Sequence, residues 1–226
     1  QVGDNMQYIF GITEKGEPKT LLSYSGFRLW KENKEKYRDR YYRGLPSPDS
    51  AEMIFGKQIA KILEDEKATT VHPILRLVPR YKQPEYRLEV DLDGVRVQGY
   101  IDSFDPKNNA FYEYKTGHKS WDGKDPWDRV KVAKHEQLPF YSLLIAEHLG
   151  KVTRKCHLVF LETEMVVKEQ TFQGQSFGLT MKEPRLTGRI EVFPRIVYGY
   201  ERARIRQSIL DIAKEITEDY QQYKSV

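Results

Sequence analysis

Residues 86–115 constrain the fold more than any other part of the chain. Tyr86-Arg87-Leu88-Glu89-Val90 alternates in hydropathy and runs into Asp93-Gly94, the dipeptide favoured in two-residue hairpin turns. Val95 to Phe104 reads as the return strand. Asp105-Pro106-Lys107-Asn108-Asn109 supplies a second turn, and Ala110 to Lys115 a third strand. Three strands joined by two short turns can only form an antiparallel meander.

Helical patterns surround this centre. Ser23 or Ser25 is an expected N-cap for a helix reaching about Tyr42. Asp49 or Ser50 opens a second helix to about Glu66, with Met53, Ile54, Ile59, Ile62 and Leu63 as its apolar side. Asp125-Pro126 reads as N-cap and first helical position of a helix to His148, with Gly150 just beyond it. Pro139 would kink that helix by removing a backbone hydrogen bond. From about Tyr200 to Tyr223 the stripe Ile205, Ile209, Ile212, Ile216 and Tyr220 predicts a long amphipathic helix. Met6 to Ile12, Val152 to Leu161, Met165 to Thr171 and Arg189 to Phe193 are expected strands, and Gly174 to Thr187 an expected loop. No composition break marks a linker, so residues 1–226 are expected to form one domain.

Composition narrows the function classes. A single cysteine, Cys156, excludes intrachain disulfides and thiolate-rich zinc or iron–sulfur sites, and a reducing cytoplasm is the expected compartment. The start Gln1-Val2-Gly3-Asp4 has no basic and apolar leader pattern, so no secretory signal is expected. No apolar run is long enough for a membrane helix, so no membrane partner is expected. His72, His118, His135, His148 and His157 lack zinc-ligand spacing. The formal charge of +4 permits a nucleic-acid partner. Basic residues concentrate in Arg28–Arg43 and again from Lys115 to Lys134. Either run alone reads sooner as a solvated helix face or loop; the second directly follows the Asp102–Lys115 motifs, which favours phosphate contact there.

The chemistry concentrates at Gly99-Tyr100-Ile101-Asp102 and Glu113-Tyr114-Lys115. Asp102 and Glu113 lie six and five residues from Asn108, so cross-strand pairing is expected. Glu113 and Lys115 share one strand face. Tyr114 points the other way and leaves its carbonyl free. Two carboxylates and a carbonyl suit Mg²⁺ or Mn²⁺, and an amine beside them suits a developing phosphorane charge. The plainer reading of the same residues is a cross-strand salt bridge.

Four segments occur in an order that resembles the PD-(D/E)XK nuclease superfamily, in its RecB-like and phage-exonuclease branch. They are Leu22-Ser23-Tyr24-Ser25-Gly26-Phe27 with the helix ending Tyr41-Tyr42-Arg43-Gly44; Phe55-Gly56 to Leu63-Glu64; the two central motifs; and Gln137-Leu138-Pro139-Phe140-Tyr141. The resemblance covers about Leu21 to Gly150. It implies a restriction-endonuclease-like α/β core, a central mixed β-sheet flanked by helices. It implies metal-dependent DNA hydrolysis, exonucleolytic, in phage or bacterial recombination and repair. A recombination protein or a second copy of the chain would be the partner.

By that resemblance Asp102 and Glu113 would hold Mg²⁺ or Mn²⁺, and Lys115 would be catalytic; the free Tyr114 carbonyl is the third candidate ligand. Gln137 and Tyr141 would orient Lys115 or contact a DNA phosphate. Lys119, Lys124, Arg129, Lys131, Lys134, Ser25 and Arg28 would contact nucleic acid. His118 and His135 flank the region and could touch phosphate; Glu85 and Glu89 could approach the metal but read sooner as a solvated sheet face. Many RecB-like members carry a histidine where this chain has Ala60, which implies a sparse ligand set, with Gln58 or Glu64 as substitutes. A non-catalytic nucleic-acid-binding protein on the same fold and a site-specific endonuclease are the rival readings.

Overall fold

The computed structural model describes residues 7–65, 73–81, 83–153, 155–172 and 175–225. In chain order, the two-residue strand β1 (Leu22–Ser23) runs into helices α1 (Tyr24–Glu32) and α2 (Lys34–Tyr41). Helix α3 (Ala51–Glu64) and a 3₁₀ turn (Pro73–Leu77) precede β2 (Gln83–Leu92), β3 (Val95–Asp105) and β4 (Ala110–Gly117). Helices α4 (Arg129–Lys134) and α5 (Gln137–Leu149) lead to β5 (Lys155–Phe172), β6 (Gln175–Ile196) and α6 (Gly199–Lys224).

The meander forms as its turn residues dictate. Asp93 and Gly94 take φ of 52° and 88°, the left-handed pair such a hairpin needs, and Gly94 N–H donates to Asp91 Oδ1 at 2.7 Å. At the second turn Asp105 Oδ1 accepts from Lys107 and Asn108 N–H at 2.9 and 3.2 Å. The sheet order is β1-β3-β4-β5-β6, with β2 on β3 as well. The β1–β3 and β4–β5 pairs are parallel and the others antiparallel. A parallel β4–β5 pair needs a long crossover, and α4 and α5 provide it. The result is the expected mixed α/β sheet flanked by helices.

Strand β5 shows how the sheet divides the core. Leu158 and Phe160 belong to the large apolar cluster with Phe111, Leu144 and Ile209, whereas Val159 and Leu161 join Ile59 and Leu63 of α3. Alternate residues therefore face two separate helical layers. The stripe Ile205, Ile209, Ile212, Ile216 and Tyr220 is buried as expected. Helix α6 is tied to α1 and α2 by Trp30 Nε1 to Glu215 Oε2 at 3.0 Å and by Arg38 on Asp219 at 3.0 and 2.5 Å.

Several local expectations are corrected. The first long helix breaks at Asn33, whose side chain accepts Lys36 N–H and recaps the chain as α2; Ser23 caps α1. The helix expected from Asp125 starts at Asp128, which accepts Lys131 N–H at 2.7 Å, and breaks at His135–Glu136. Pro139 then falls in the first turn of α5, where a missing N–H costs no intrahelical bond, so it starts a helix instead of kinking one. Gly150 ends α5 at φ 63°. Helix α3 is capped by Ser50 and ends at Glu64, while Glu66 lies outside the described residues. Met53 and Ile54 are 53% and 47% exposed, so only the later part of its apolar side is buried.

Met165–Thr171 does not pair with residues 152–161 but prolongs β5. Residues 175–187 form strand, not loop; Gly174 lies outside the described residues. The result is one long β5–β6 hairpin with a register shift between Leu161 and Thr163. Residues 7–12 make no strand beyond an isolated Ile12–Pro18 bridge, and Met6 lies outside the described residues. Among the described residues no helix is long and apolar enough to cross a membrane.

Gly99 sets the distance between α5 and the sheet. A Cβ there would lie 2.9 Å from both Tyr141 Cε1 and Leu144 Cδ1. Gly99→Ala should therefore destabilise the protein by about 1–3 kcal/mol through overpacking, read as a lower urea midpoint at unchanged slope. An unaltered midpoint would show that α5 moves away freely.

Candidate active site

The site lies where β3 and β4 part. Their ladder covers only Ser103↔Tyr112, Phe104↔Phe111 and Asp105↔Ala110. One further step would set Asp102 opposite Glu113, but the backbone pairing has ended. Instead Asp102 Oδ2 accepts the Tyr114 N–H at 2.7 Å. A carboxylate thus takes the place a strand carbonyl would have had. A strand residue's N–H and C=O face the same edge, so the Tyr114 carbonyl also looks into this fork. The other edge of β4 is held by β5 from Ala110↔Lys155 to Gly117↔Glu162. Across β3, Glu85 is the residue passed over between Pro84↔Ser103 and Tyr86↔Ile101, and it has φ 46°.

Glu113 is 3% exposed. Its Oε1 accepts from Lys115 Nζ at 2.8 Å and from Gln137 Nε2 at 2.6 Å. Its Oε2 is buried with no hydrogen-bond partner among the described residues. Gln137 Nε2 also reaches Tyr141 Oη at 3.1 Å. The break before α5 is what brings Gln137, the first residue of the helix, to the sheet. Gly56 brings α3 against the other end of the motif, where a Cβ would lie 2.9 Å from Thr116 Oγ1. The Lys115 side chain stays 27% exposed, the opening through which the pair meets solvent.

Burial pushes the Asp102 carboxyl well above its usual range, and the Glu113 charge adds to the push; Lys115 and the Tyr114 N–H oppose it. Burial likewise raises Glu113, against the pull of Lys115 and Gln137. Two crowded acids, one with an orphaned oxygen, form a hard oxygen set that a divalent cation would satisfy. Among the described residues no group of three or more His, Cys, Asp or Glu side chains gathers for a metal. Glu64, near the end of α3, is raised by burial and by Glu85, so these two acids are neighbours beside the fork. Gln58 lines an apolar cavity with Phe55 and Ile62 instead, and Glu89 pairs with Arg87 and Arg96 on the surface.

His135 is lowered to about 3 by burial, with Lys115, Arg195 and Arg28 adding to the effect. Its ring packs edge-on to Trp127 at 4.9 Å, and its carbonyl accepts from Arg195 Nη1 at 2.5 Å. It stands at the site as a neutral wall. His72 lies outside the described residues.

The proposed nucleic-acid contacts are dispersed around this centre. Arg129, Lys131 and Lys134 are exposed on α4, with Lys131 Nζ donating to the Asp125 carbonyl at 2.9 Å. Lys119 lies 3.9 Å from Glu162 and Lys124 2.6 Å from Asp122. Exposed Ser25 meets Ser23 Oγ at 3.0 Å, and Arg28 pairs with Glu32 at 3.5 Å. The sequence reading missed Arg189. It clamps the loop after β4 by binding Asp125 at 2.7 and 3.0 Å and Glu162 at 3.0 Å. It also missed the buried pair Arg195–Glu201 at 2.6 Å behind His135. Neither carries a motif: Arg189 gathers residues from distant parts of the chain, and Arg195 meets Glu201 across the turn from β6 into α6.

Residues 28–224 match the family model of the PD-(D/E)XK nuclease superfamily. No curated protein gives a significant match. Among solved structures, one from Eubacterium rectale bearing the name "Putative exonuclease" shares 13% identity. The match covers 97% of this chain and 88% of that one at a TM-score of 0.52, a likeness of fold. SSO0001 shares 14% identity over 87% of this chain and 78% of its own, at a TM-score of 0.42.

The raised acids have a consequence for stability without metal. A carboxyl whose folded pKa exceeds its unfolded value favours folding while protonated. That contribution is complete below about 4 and is lost as pH rises through the folded value. Asp102→Asn keeps an acceptor for Tyr114 N–H and removes the buried charge. In chelator at pH 8 it should melt several degrees above the wild type, with the gap closing at pH 4. Equal melting temperatures at pH 8 would contradict the assigned crowding.

Proposed function

The chain belongs to the PD-(D/E)XK nuclease superfamily, and from that membership we propose that it hydrolyses DNA phosphodiester bonds with Mg²⁺ or Mn²⁺. Asp102, Glu113 and the Tyr114 carbonyl would hold the ion. The observation that carries this reading is the buried, unpartnered Glu113 Oε2 beside a second crowded carboxylate. When bound, the ion supplies charge neutralisation of the phosphate and a more acidic water.

The chain's own groups do the rest. Glu113 Oε1 holds the Lys115 ammonium at 2.8 Å, leaving its remaining N–H donors for the charge that builds on the phosphate. Gln137 and Tyr141 are too buried to meet a duplex backbone, so they act as positioning residues that fix Glu113. Lys119, Lys124, Arg129, Lys131, Lys134, Ser25 and Arg28 would hold the backbone on either side. The motif order supports an exonuclease in phage or bacterial recombination and repair, working in the cytoplasm with a recombination protein or a second copy.

Purified protein should degrade end-labelled linear DNA with Mg²⁺ or Mn²⁺ and not in chelator. Lys115→Ala, Asp102→Ala and Glu113→Ala should each reduce the rate by at least about 100-fold while circular dichroism stays unchanged. Full activity in Lys115→Ala would refute the assignment. Cleavage of circular DNA would make the enzyme an endonuclease, and metal-independent binding without cleavage a non-catalytic relative.

A further inference from the structure

Away from the fork, a second place gathers positive charge with no paired acid. Of the seven cations in Arg28–Arg43, five are paired with carboxylates: Arg28, Lys31, Lys34, Arg38 and Arg43. Arg40 pairs with no acid among the described residues and lies 5.4 Å from the centroid of the Tyr41 ring. Lys19 approaches the same ring to 5.2 Å. Its Nζ donates to the Leu21 carbonyl at 2.9 Å, and its other donors meet no protein partner among the described residues.

Both cations line a groove of about 820 Å³ between the N-terminal turn and the loop after α2. Glu14 is the one acid in its lining, yet Lys19 responds to burial and to Arg40, which both lower its pKa. A partly desolvated ammonium beside a guanidinium is an unfavourable pair. An anion between them would relieve both terms. Pro18, Leu45 and Pro46 give the groove apolar walls suited to a sugar or base. Gln98 in the lining is four residues before Asp102 on β3, about 13 Å along the strand.

We propose that this groove is a phosphate site that holds one backbone phosphate of a nucleic-acid strand, a nucleotide or more away from the catalytic pair. The polymer in this statement rests on the proposed nuclease function; the phosphate chemistry rests on Lys19 and Arg40 themselves. A phosphate here would anchor the strand without taking part in bond breaking, and would lengthen the stretch of substrate the enzyme recognises.

The test is anisotropy of an end-labelled single-stranded oligonucleotide in chelator, across a salt series. Arg40→Gln should weaken binding about tenfold and flatten the log–log salt slope by about one contact's worth, and Arg40→Lys should restore most of both. Lys19→Gln should match Arg40→Gln, with a thermal melt to confirm folding. In cleavage assays with metal, Arg40→Gln should raise KM and leave kcat unchanged. Equal affinity and slope in wild type and Arg40→Gln would overturn the proposal. A nucleoside monophosphate that displaces the probe as well as unlabelled oligonucleotide does would overturn the polymer assignment and make a free nucleotide the occupant. A wild type that cleaves nothing would refute the nuclease function, while the anisotropy series still decides the groove.

Discussion

Asp102 Oδ2 accepts the Tyr114 N–H just where β3 and β4 stop pairing. This bond lets two strands separate without leaving a buried donor orphaned, and so holds the fork open. A continued ladder would have bonded Tyr114 to β3 backbone and closed the space between the acids. Everything on the other edge of β4 is conventional: the parallel ladder with β5 runs unbroken through Glu113 and Lys115. The site is therefore a local defect in one edge of an otherwise regular strand, stiffened from the opposite edge.

Around this fork the molecule concentrates costs. Two carboxyls are forced toward their neutral forms, one oxygen is left without a partner, and Glu85 takes an unfavourable backbone angle next door. The large apolar cluster under α5 and α6 offsets them. Tyr141 sits in the apolar layer and accepts from Gln137, which in turn ends on Glu113. Rigid packing is thereby connected to the orientation of a single carboxylate.

The parts legible in the sequence were those written in local chemistry. Asp93-Gly94, Asp105, Ser50 and Gly150 each specify a turn or cap, and each does so in the structure. The isoleucine stripe of α6 is equally plain because its partners all lie on one side. Asp102, Glu113 and Lys115 could be picked out because short spacing and strand period place them together. Helix breaks were less visible. Asn33 breaks the first helix by turning extended and recapping the chain with its side chain, and His135 turns extended at the end of α4, against good local propensity. The β5–β6 hairpin was misread because its outer half lacks the alternation of a half-buried strand. Arg189 had no sequence signal, since Asp125 and Glu162 are far away along the chain; Arg195 meets Glu201 only because the chain turns from β6 into α6 between them.

The hairpin's geometry separates two kinds of change. Strand β4 stops pairing with β5 at Gly117↔Glu162, and the β5–β6 register shifts immediately beyond, between Leu161 and Thr163. Among the described residues beyond that bulge, Pro184, Arg185 and Leu186 face α3, and Thr163, Glu164 and Met165 lie beside the loop after β4. Residues can be added to or lost from the outer hairpin in pairs without shifting a single partner of Glu113 or Lys115. The fold thus carries an extensible arm whose length can drift between relatives while the chemistry at its root stays in register.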